Sequence, residues 1–309
     1  MPFPVRPRFP WRLRTRTLPL GRRTILMGIL NVTPDSFSDG NQFLSPRAAH
    51  HRALELLDEG ADLIDLGGES TRPNATPVDP AEEQSRILPV IAAILKSRPE
   101  AILSVDTFHA STAHAALAAG VEIINDVSGL LWDPAMASLV AREKPGVILM
   151  HTRGLPREWT SLPPLPSHDI LPLVLSGLTH SLSLARTAGL PESNLVLDPG
   201  FGFGKLGDEN FTLLAHFAEL ARFNLPLLAG LSRKRFLTAW LKEIPLDLEG
   251  IRLQATIAAN TAAILNGAHI LRIHDLTAAR AAANIADALL NASPEPESPT
   301  PSTESPRET

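Results

Sequence analysis

One pattern occurs eight times along most of this 309-residue chain. Each repeat has a short run of Ile, Leu and Val, then a polar or glycine-rich loop, and then apolar residues at helical spacing. Short runs rich in these residues are typical of parallel strands that are covered on both faces. The eight runs are residues 25–30, 62–66, 102–105, 121–124, 146–150, 194–197, 226–229 and 269–273.

Residues that begin and end helices stand between these runs. Ser45 with Pro46, and Asp79 with Pro80, are pairs of the kind that open a helix, and Gly189 is placed to end one. Eight strand-and-helix units fit a closed barrel, which uses about 250 residues, better than an open sheet of about five or six strands. We therefore predict an α/β fold, a (β/α)8 TIM barrel, with the open sheet as the alternative.

The two ends of the chain differ from the repeats. Residues 1–8 hold Arg6 and Arg8 without regular spacing, and we predict a flexible basic arm there. In residues 11–24, apolar and polar residues alternate on either side of a turn at Pro19, Leu20 and Gly21. This pattern predicts a β-hairpin leading into the barrel. Residues 293–309 are rich in Ser, Pro and Glu and have nothing apolar to bury, so we predict a disordered C-terminal tail. The barrel domain is then residues 9–292.

The composition argues against several classes of function. A net charge of −5 does not favour binding of the whole molecule to nucleic acid or to an anionic membrane. Charged residues interrupt the apolar runs before they reach the length of a membrane span. The chain has no cysteine, which excludes disulfides and thiol catalysis and fits a reducing compartment. We expect a cytoplasmic protein that acts on small molecules.

A polar side chain or a glycine-rich segment follows nearly every predicted strand. All strand ends of a parallel barrel lie on one rim, and that rim is where such barrels place their active sites. A single Asp after a strand more often caps a helix than takes part in catalysis, but capping does not explain the whole series. The strand ends carry Asn31, residues 67–72, Asp106, Asn125 and Asp126, His151, Asp198, residues 230–234, Arg272 and His274.

Four residues in this series donate hydrogen bonds and can converge on an anion: Arg72, Lys234, Arg272 and His274. Arginine is well suited to binding phosphate through two parallel hydrogen bonds. Taken alone, Lys234 is as readily explained by a solvated helix start. However, a cation at a helix N-terminus opposes the helix dipole, so its position needs a bound anion or another purpose.

A second group offers hydrogen-bond acceptors. Asp106 and Asp198 supply carboxylates, and Asn125 adds a carbonyl and an amide donor. This set suits a flat heterocycle that carries several N–H donors, such as an aminopyrimidinone ring. The sequence therefore predicts an anion site beside a heterocycle pocket.

Two familiar motifs are not present in the chain. Residues 200–205 (GFGFGK) are glycine-rich, but their spacing matches neither phosphate-binding glycine motif. We interpret them as a tight loop after a strand, with Phe203 available for stacking. The ten histidines include no HExxH pair, so nothing in the sequence indicates a zinc site.

Seven segments taken together resemble dihydropteroate synthases. They occur in the order of that family and extend over almost all of the chain between its two ends. The first and fifth are highly specific. The segments are residues 31–40 (NVTPDSFSDG), 67–73 (GGESTRP), 104–107 (SVDT), 124–129 (INDVSG), 198–205 (DPGFGFGK), 230–234 (GLSRK) and 272–275 (RIHD).

The resemblance implies a TIM barrel that is usually a homodimer and acts in folate biosynthesis, as a target of sulfonamides. Its reaction joins 6-hydroxymethyl-7,8-dihydropterin pyrophosphate to p-aminobenzoate and gives 7,8-dihydropteroate and pyrophosphate, with Mg²⁺. In this family the bond to pyrophosphate is thought to break first, which leaves a cationic intermediate.

The resemblance also implies roles by motif position. The pterin ring would be bound by Asp106, Asn125, Met150, Asp198 and Lys234. The pyrophosphate would be bound by Asn31, Arg72, Arg272 and His274, and Asn31 would also contact Mg²⁺. The p-aminobenzoate would be bound by Phe37, Thr71, Arg72, Pro73, Phe203 and Ser232. The catalytic residues would be Asp39, Lys234, Arg272 and His274, with Asp39 stabilising the cation electrostatically.

The chain departs from the family pattern at three positions outside these segments. Asn41 and Asn74 stand where the family often has glycine, and asparagine tolerates a positive φ better than other residues with side chains. Thr152 stands where the family commonly has methionine, which can change packing near the pterin.

Two other functions stay open at this point. The related barrel that transfers a methyl group from methyltetrahydrofolate to a corrinoid protein shares the Asp and Asn contacts to the pterin. That enzyme has no need of the residues predicted to bind pyrophosphate, which are present here. A non-catalytic, pterin-binding paralogue would be expected to lose loop residues such as Asp39 or Thr71, and both are present.

Overall fold

The computed structural model describes residue 3 and residues 5–33, 45–69, 77–159, 161–239, 241 and 247–292. Within these residues a short antiparallel pair of strands precedes eight parallel strands. The pair is β1 (Phe9–Arg12) and β2 (Thr17–Leu20). The parallel strands are β3 (Ile25–Asn31), β4 (Leu63–Gly67), β5 (Leu103–Asp106), β6 (Ile123–Asp126), β7 (Gly146–Met150), β8 (Leu195–Asp198), β9 (Leu228–Ala229) and β10 (Ile270–Ile273).

The parallel strands form a closed barrel. Their order is β8, β7, β6, β5, β4, β3, β10 and β9, so chain order is kept all the way round the sheet. The Leu197 N–H donates to the Pro226 carbonyl at 2.9 Å, which joins β8 to the segment before β9. The predicted barrel is confirmed and the open sheet is wrong. Each predicted strand is present, and most extend one or two residues further toward the rim than predicted.

A helix follows each barrel strand in the described part of the chain. The helices are α1 (Pro46–Asp58), α2 (Pro80–Ser97), α3 (Ala110–Ala118), α4 (Met136–Glu143), α5 (Ser167–Ala188), α6 (Asp208–Ala215), α7 (Leu248–Leu265) and α8 (Leu276–Ala292). The predicted N-caps are confirmed: Ser45 Oγ accepts from Ala48 N at 3.2 Å, and the Asp79 carboxylate accepts from Ala81 N at 2.8 Å.

The barrel is filled and closed at the N-terminal end of its strands. A layer of inward-facing side chains packs against Trp11, Leu13 and Leu20 of the β1–β2 hairpin. The Trp11 indole N–H donates to the Asn194 carbonyl at 2.9 Å, at the start of β8. The inward-facing layer consists of Ile25, Met27, Leu63, Ile123, Ile148, Val196, Leu228 and Ile270. Because this end is packed shut, a ligand reaches the interior only from the opposite rim.

The hairpin is present, but its turn is not where we predicted it. The chain turns between β1 and β2, where Leu13 N donates to Arg16 O at 2.8 Å, rather than at residues 19–21. Pro19 lies inside β2, on a two-stranded ribbon where a missing N–H is tolerated. Gly21 follows β2 with φ of 103°, and a side chain there would collide with the Pro7 carbonyl. That glycine is therefore explained by a bend after the strand.

The predicted flexible arm is wrong at Arg6, which is buried. Its guanidinium donates to Asp287 Oδ1 at 2.7 Å, to Thr24 Oγ1 at 2.9 Å and to the Ala268 carbonyl at 3.0 Å. These contacts hold the N-terminal segment against α8 and β3. The predicted tail, residues 293–309, lies outside the described residues. Among the residues that are described, no helix has the length and apolar character needed to cross a membrane.

Candidate active site

The C-terminal rim of the barrel holds ten of the predicted site residues. Asn31, Asp106, Asn125, Met150 and Asp198 lie at the ends of five strands, in β3, β5, β6, β7 and β8. Phe203 lies in the loop after β8, and Ser232 and Lys234 lie in the loop after β9. Arg272 lies within β10, and His274 follows that strand. The other predicted positions, including two of the family departures, lie outside the described residues: Phe37, Asp39, Asn41, Thr71, Arg72, Pro73 and Asn74.

Arg272 bridges two carboxylates inside the rim. Its Nε donates to Asp65 Oδ2 at 2.6 Å, and its Nη2 donates to Asp106 Oδ2 at 2.7 Å. Burial raises the pKa of Asp106 to about 7, and the nearby Arg272 charge works against that rise. The residue predicted for phosphate thus contacts a residue predicted for the pterin, which places the two predicted subsites side by side.

Asn125 is held by the same buried carboxylate. Its Nδ2 donates to Asp65 Oδ2 at 3.0 Å, and the residue is 4% exposed. A carboxylate accepts hydrogen bonds and cannot donate them when ionised, so the amide nitrogen must face Asp65. The carbonyl oxygen of Asn125 therefore points away from Asp65.

Asp198 and Lys234 form the opposite side of the site. Asp198 Oδ1 accepts from Gly200 N at 2.7 Å, and burial raises the pKa of this carboxyl to about 6. Burial also lowers the pKa of Lys234, to about 8. The Lys234 Nζ lies 4.1 Å from the centroid of the Phe203 ring, within the range of a cation–π contact. The Phe203 ring, predicted to be available for stacking, therefore contacts the lysine, and its role toward a ligand stays a prediction.

Ser232 and His274 make a reciprocal pair. The His274 backbone N–H donates to Ser232 Oγ at 3.1 Å, and the same Oγ lies 2.9 Å from His274 Nδ1. Burial lowers the pKa of His274 to about 3, so the imidazole is neutral at physiological pH. The tautomer in which the serine hydroxyl donates to Nδ1 carries its ring proton on Nε2. His274 then offers one N–H to an anion, without a positive charge.

Asp65 is a site residue that the sequence reasoning missed. It lies in the middle of β4 and its exposure is 0%, but it was not among the predicted site residues. Since side chains alternate along a strand, Asp65 faces the interior with Leu63 and Gly67. A charged residue at an inward position of a barrel strand is a signal that would have identified it.

Lys205 and Trp159 were also missed. The buried Lys205 ammonium donates to the carbonyls of His151 at 3.1 Å, Gly200 at 2.8 Å and Phe203 at 3.3 Å. It thereby joins the segments that follow β7 and β8. Trp159 packs edge-on against Phe203, with ring centroids 5.2 Å apart and planes at 88°. Lys205 ends a matched segment, but no sequence signal pointed to Trp159.

The site has no feature of a protein-held metal centre in the part of the chain that is described. No group of three or more His, Asp or Glu side chains is placed to hold a metal ion there. The arrangement contains buried acceptors, two cations, a neutral histidine and an aromatic face. It suits binding of a polar heterocycle next to an anionic group, without a nucleophile paired with a base.

Comparison with known proteins agrees with a site that binds a polar heterocycle. A family model described as pterin binding enzyme matches residues 27–274. The dihydropteroate synthase of Bacillus subtilis (strain 168) is 42% identical over 269 residues, which cover 87% of this chain and 90% of that protein. The dihydropteroate synthase of Escherichia coli (strain K12) is 39% identical over 267 residues, covering 86% of this chain and 92% of that protein.

Solved structures agree with these relatives. The Xanthomonas albilineans dihydropteroate synthase with 4-aminobenzoic acid has a TM-score of 0.82 at 40% identity and covers 94% of this chain and 100% of that chain. The Yersinia pestis dihydropteroate synthase in a sulfonamide drug complex also has a TM-score of 0.82, at 39% identity, and covers 91% of this chain and 98% of that chain. The chain therefore belongs to the pterin-binding enzymes and, among them, to the dihydropteroate synthase family.

Proposed function

We propose that this chain joins 6-hydroxymethyl-7,8-dihydropterin pyrophosphate to p-aminobenzoate, forming 7,8-dihydropteroate and releasing pyrophosphate. The single observation that supports this most is the contact between Arg272 and Asp106. It places a cation suited to phosphate directly beside a carboxylate suited to a ring with N–H donors. The substrate carries both groups one methylene apart.

The pterin half of the substrate binds at Asp106, Asn125 and Asp198. Their acceptor atoms match the N–H groups of the dihydropterin ring, and the burial of Asn125 and Asp198 excludes competing water. Met150 is 3% exposed at the end of β7 and provides an apolar surface beside the ring. A buried site built for hydrogen bonds also rejects rings that lack them.

Arg272, Lys234 and His274 bind the departing pyrophosphate. The bond between the methylene carbon and the pyrophosphate oxygen breaks, and both electrons leave with that oxygen. The amine nitrogen of p-aminobenzoate then attacks the methylene carbon, the new C–N bond forms, and the nitrogen loses a proton. Cations placed where negative charge develops lower the barrier to the first step, so a strong base is not required.

The p-aminobenzoate ring binds against Phe203, near Lys234 and Ser232. Phe203 offers an aromatic face, and Trp159 supports its edge. We propose that Phe37, Thr71, Arg72 and Pro73 complete this subsite and that Asp39 stabilises the cation, on the basis of the family motifs alone.

We propose that Mg²⁺ enters with the pyrophosphate and is not held by the protein alone. Gly67 of β4 pairs with Asn31 of β3 on one side and with Asp106 of β5 on the other, so the three residues lie at one level of the rim. Position 67 contributes no side chain to this corner, and Asn31 provides an amide oxygen there. Mg²⁺ commonly takes few protein oxygens and fills its other positions with phosphate and water, which fits this donor set. Bound Mg²⁺ would neutralise part of the leaving group's charge.

We also propose that the chain is a homodimer. Helices α7 and α8 expose large apolar side chains, with Leu248 54% and Ile285 66% exposed. Such side chains on neighbouring helices are suited to an interface. Light scattering after size exclusion should give twice the mass of one chain. The cytoplasmic location expected from the sequence stays a prediction.

The test is an assay of the purified protein with both substrates and Mg²⁺, in which 7,8-dihydropteroate is identified by mass spectrometry. We expect product that depends on both substrates. An Asp198→Asn variant should lose most of the rate, whereas Asp208→Asn, an N-terminal substitution in α6, should not. Pterin binding without product would contradict the proposal and favour the non-catalytic paralogue.

A further inference from the structure

We propose that Asp65 is a positioning residue for the reaction, which acts through Arg272 and Asn125. This inference rests on the proposed function and assigns a role to a residue that would not touch either substrate. Asp65 Oδ2 accepts both the Arg272 Nε hydrogen bond at 2.6 Å and the Asn125 Nδ2 hydrogen bond at 3.0 Å. One buried oxygen therefore sets the position of a residue from each predicted subsite.

The first consequence concerns Arg272. An arginine on β10 with Asp106 as its sole anionic partner would be drawn onto that carboxylate. The pterin ring needs the same carboxylate as an acceptor, so the arginine would compete with the ligand. Asp65 provides a second, fully buried anion, which keeps the guanidinium in place when the ring takes over Asp106.

The second consequence concerns the ligand that the pocket accepts. The Asn125 amide can present either its oxygen or its nitrogen to a ring, and rotation of the amide by half a turn exchanges them. The carboxylate of Asp65 accepts only the nitrogen side, so the oxygen is the group turned away from it. Asn125 is thereby fixed as an acceptor for a ring N–H donor, and rings that present an acceptor at that position are disfavoured.

The surroundings of Asp65 favour a functional role over a purely structural one. Its exposure is 0%, and it lies one layer above the apolar residues that fill the barrel. Burial of a carboxylate is costly unless partners compensate for it, and the hydrogen bonds that Asp65 Oδ2 accepts come from two predicted site residues, Asn125 and Arg272. Among the described residues, Asp65 Oδ1 has no hydrogen-bond partner, so the carboxylate is not optimised for stability.

The test compares Asp65→Asn with a matched control, Asp62→Asn. The Asp62 carboxylate also accepts hydrogen bonds from two arginines, from Arg23 at 2.7 Å and from Arg280 at 3.0 Å. However, Asp62 precedes β4 and lies at the opposite end of the barrel. Binding of free 6-hydroxymethylpterin is measured by calorimetry, kcat and KM are measured with the pyrophosphate substrate, and folding is checked by thermal unfolding. If Asp65→Asn does not fold, Asp65→Ser replaces it, because the hydroxyl is smaller and still accepts a hydrogen bond.

We expect Asp65→Asn to weaken the binding of free pterin by about tenfold, since the loss of one well-placed charged hydrogen bond is of that size. The value of kcat/KM for the pyrophosphate substrate should fall further, because Arg272 is displaced as well. In an Arg272→Met background, Asp65→Asn should add little to the loss of kcat but should still weaken binding of the free pterin through Asn125. Asp62→Asn should lower the unfolding temperature and leave binding unchanged.

The pH dependence adds a readout that a structural role would not change. Burial raises the pKa of Asp106 most, the charges of Asp65, Glu83 and Asp126 raise it further, and Arg272 lowers it. Without the Asp65 charge, the pKa of Asp106 falls. The loss of pterin affinity on acidification should therefore occur at a lower pH than in the wild type.

Pterin affinity and kcat/KM within about twofold of the wild type, in folded Asp65→Asn protein, would overturn the proposal, because that is the scale of a neutral substitution. An unfolding temperature that falls without any change in binding would do the same. Failure of the proposed function would look different. The wild type would then form no pteroate, while the comparison of free-pterin binding would still decide the role of Asp65.

Discussion

Arg272 donates a hydrogen bond of 2.7 Å to Asp106 across the mouth of the barrel. This contact joins the residue expected at the pyrophosphate to one expected at the pterin ring. It also has a direct electrostatic consequence. The positive charge lowers the pKa of Asp106, which burial raises to about 7.

The first prediction concerns pH. Asp106 accepts ring N–H groups through both of its oxygens only when it is ionised, and its pKa of about 7 means that it becomes protonated as the pH falls through 7. Affinity for free pterin should therefore fall below about pH 7 by up to tenfold per pH unit. Calorimetry between pH 5.5 and 8.5 measures this. Affinity that stays constant down to pH 5.5 would contradict the raised pKa.

The second prediction concerns Arg272→Met. Removal of the guanidinium should lower kcat for the pyrophosphate substrate by about a hundredfold or more, as for other groups that stabilise a leaving anion. It should also raise the pKa of Asp106, so binding of free pterin should weaken at pH 7 and recover at pH 8.5. Steady-state kinetics and calorimetry at both pH values separate the two effects. Equal losses of turnover and of pterin binding at pH 8.5 would contradict the proposal that Arg272 binds the pyrophosphate.

The third prediction concerns Trp159, which holds the edge of Phe203. Trp159→Leu should raise the KM for p-aminobenzoate by about three- to tenfold, the scale expected for one aromatic pair, and leave the KM for the pterin substrate unchanged. The matched control is Trp132→Leu, because Trp132 makes a similar edge contact with Phe108, with ring centroids 5.0 Å apart. If both variants behave alike, Trp159 has no special part in the p-aminobenzoate site.

The fourth prediction concerns stability at the other end of the barrel. Asp287→Ala leaves the buried Arg6 without its carboxylate, which should cost about 3–5 kcal/mol in the free energy of unfolding. Glu192→Ala breaks the exposed pair with Arg186 and should cost about 0–1 kcal/mol. Urea unfolding of both variants gives the comparison. Activity of the folded Asp287→Ala protein should stay normal at low temperature, since Arg6 lies far from the rim.

Local signals in the sequence were reliable guides to the fold. Ser45 and Asp79 cap the predicted helices because a cap needs only a side chain and the backbone two or three residues ahead. The hairpin turn was misplaced because Gly21 permits a positive φ both in a turn and at a bend, and only the packing of Pro7 distinguishes the two.

Contacts between distant segments were harder to predict. Arg6 was expected in a flexible arm, but its partners Ala268 and Asp287 are more than 260 residues away. Asp65 was missed for a similar reason, since its partners come from β6 and β10. The rim residues were found because a parallel barrel brings all strand ends together, which is a property of the fold and not of local sequence. Their individual roles stay predictions.

The central claim is tested most directly by the stoichiometry of the products. Purified protein is given the dihydropterin pyrophosphate and Mg²⁺, with and without p-aminobenzoate, and both pyrophosphate and 7,8-dihydropteroate are quantified. We predict one pyrophosphate for each dihydropteroate when p-aminobenzoate is present, and little pyrophosphate without it. Pyrophosphate released at the same rate without p-aminobenzoate, or no dihydropteroate above the rate without enzyme, would contradict the account.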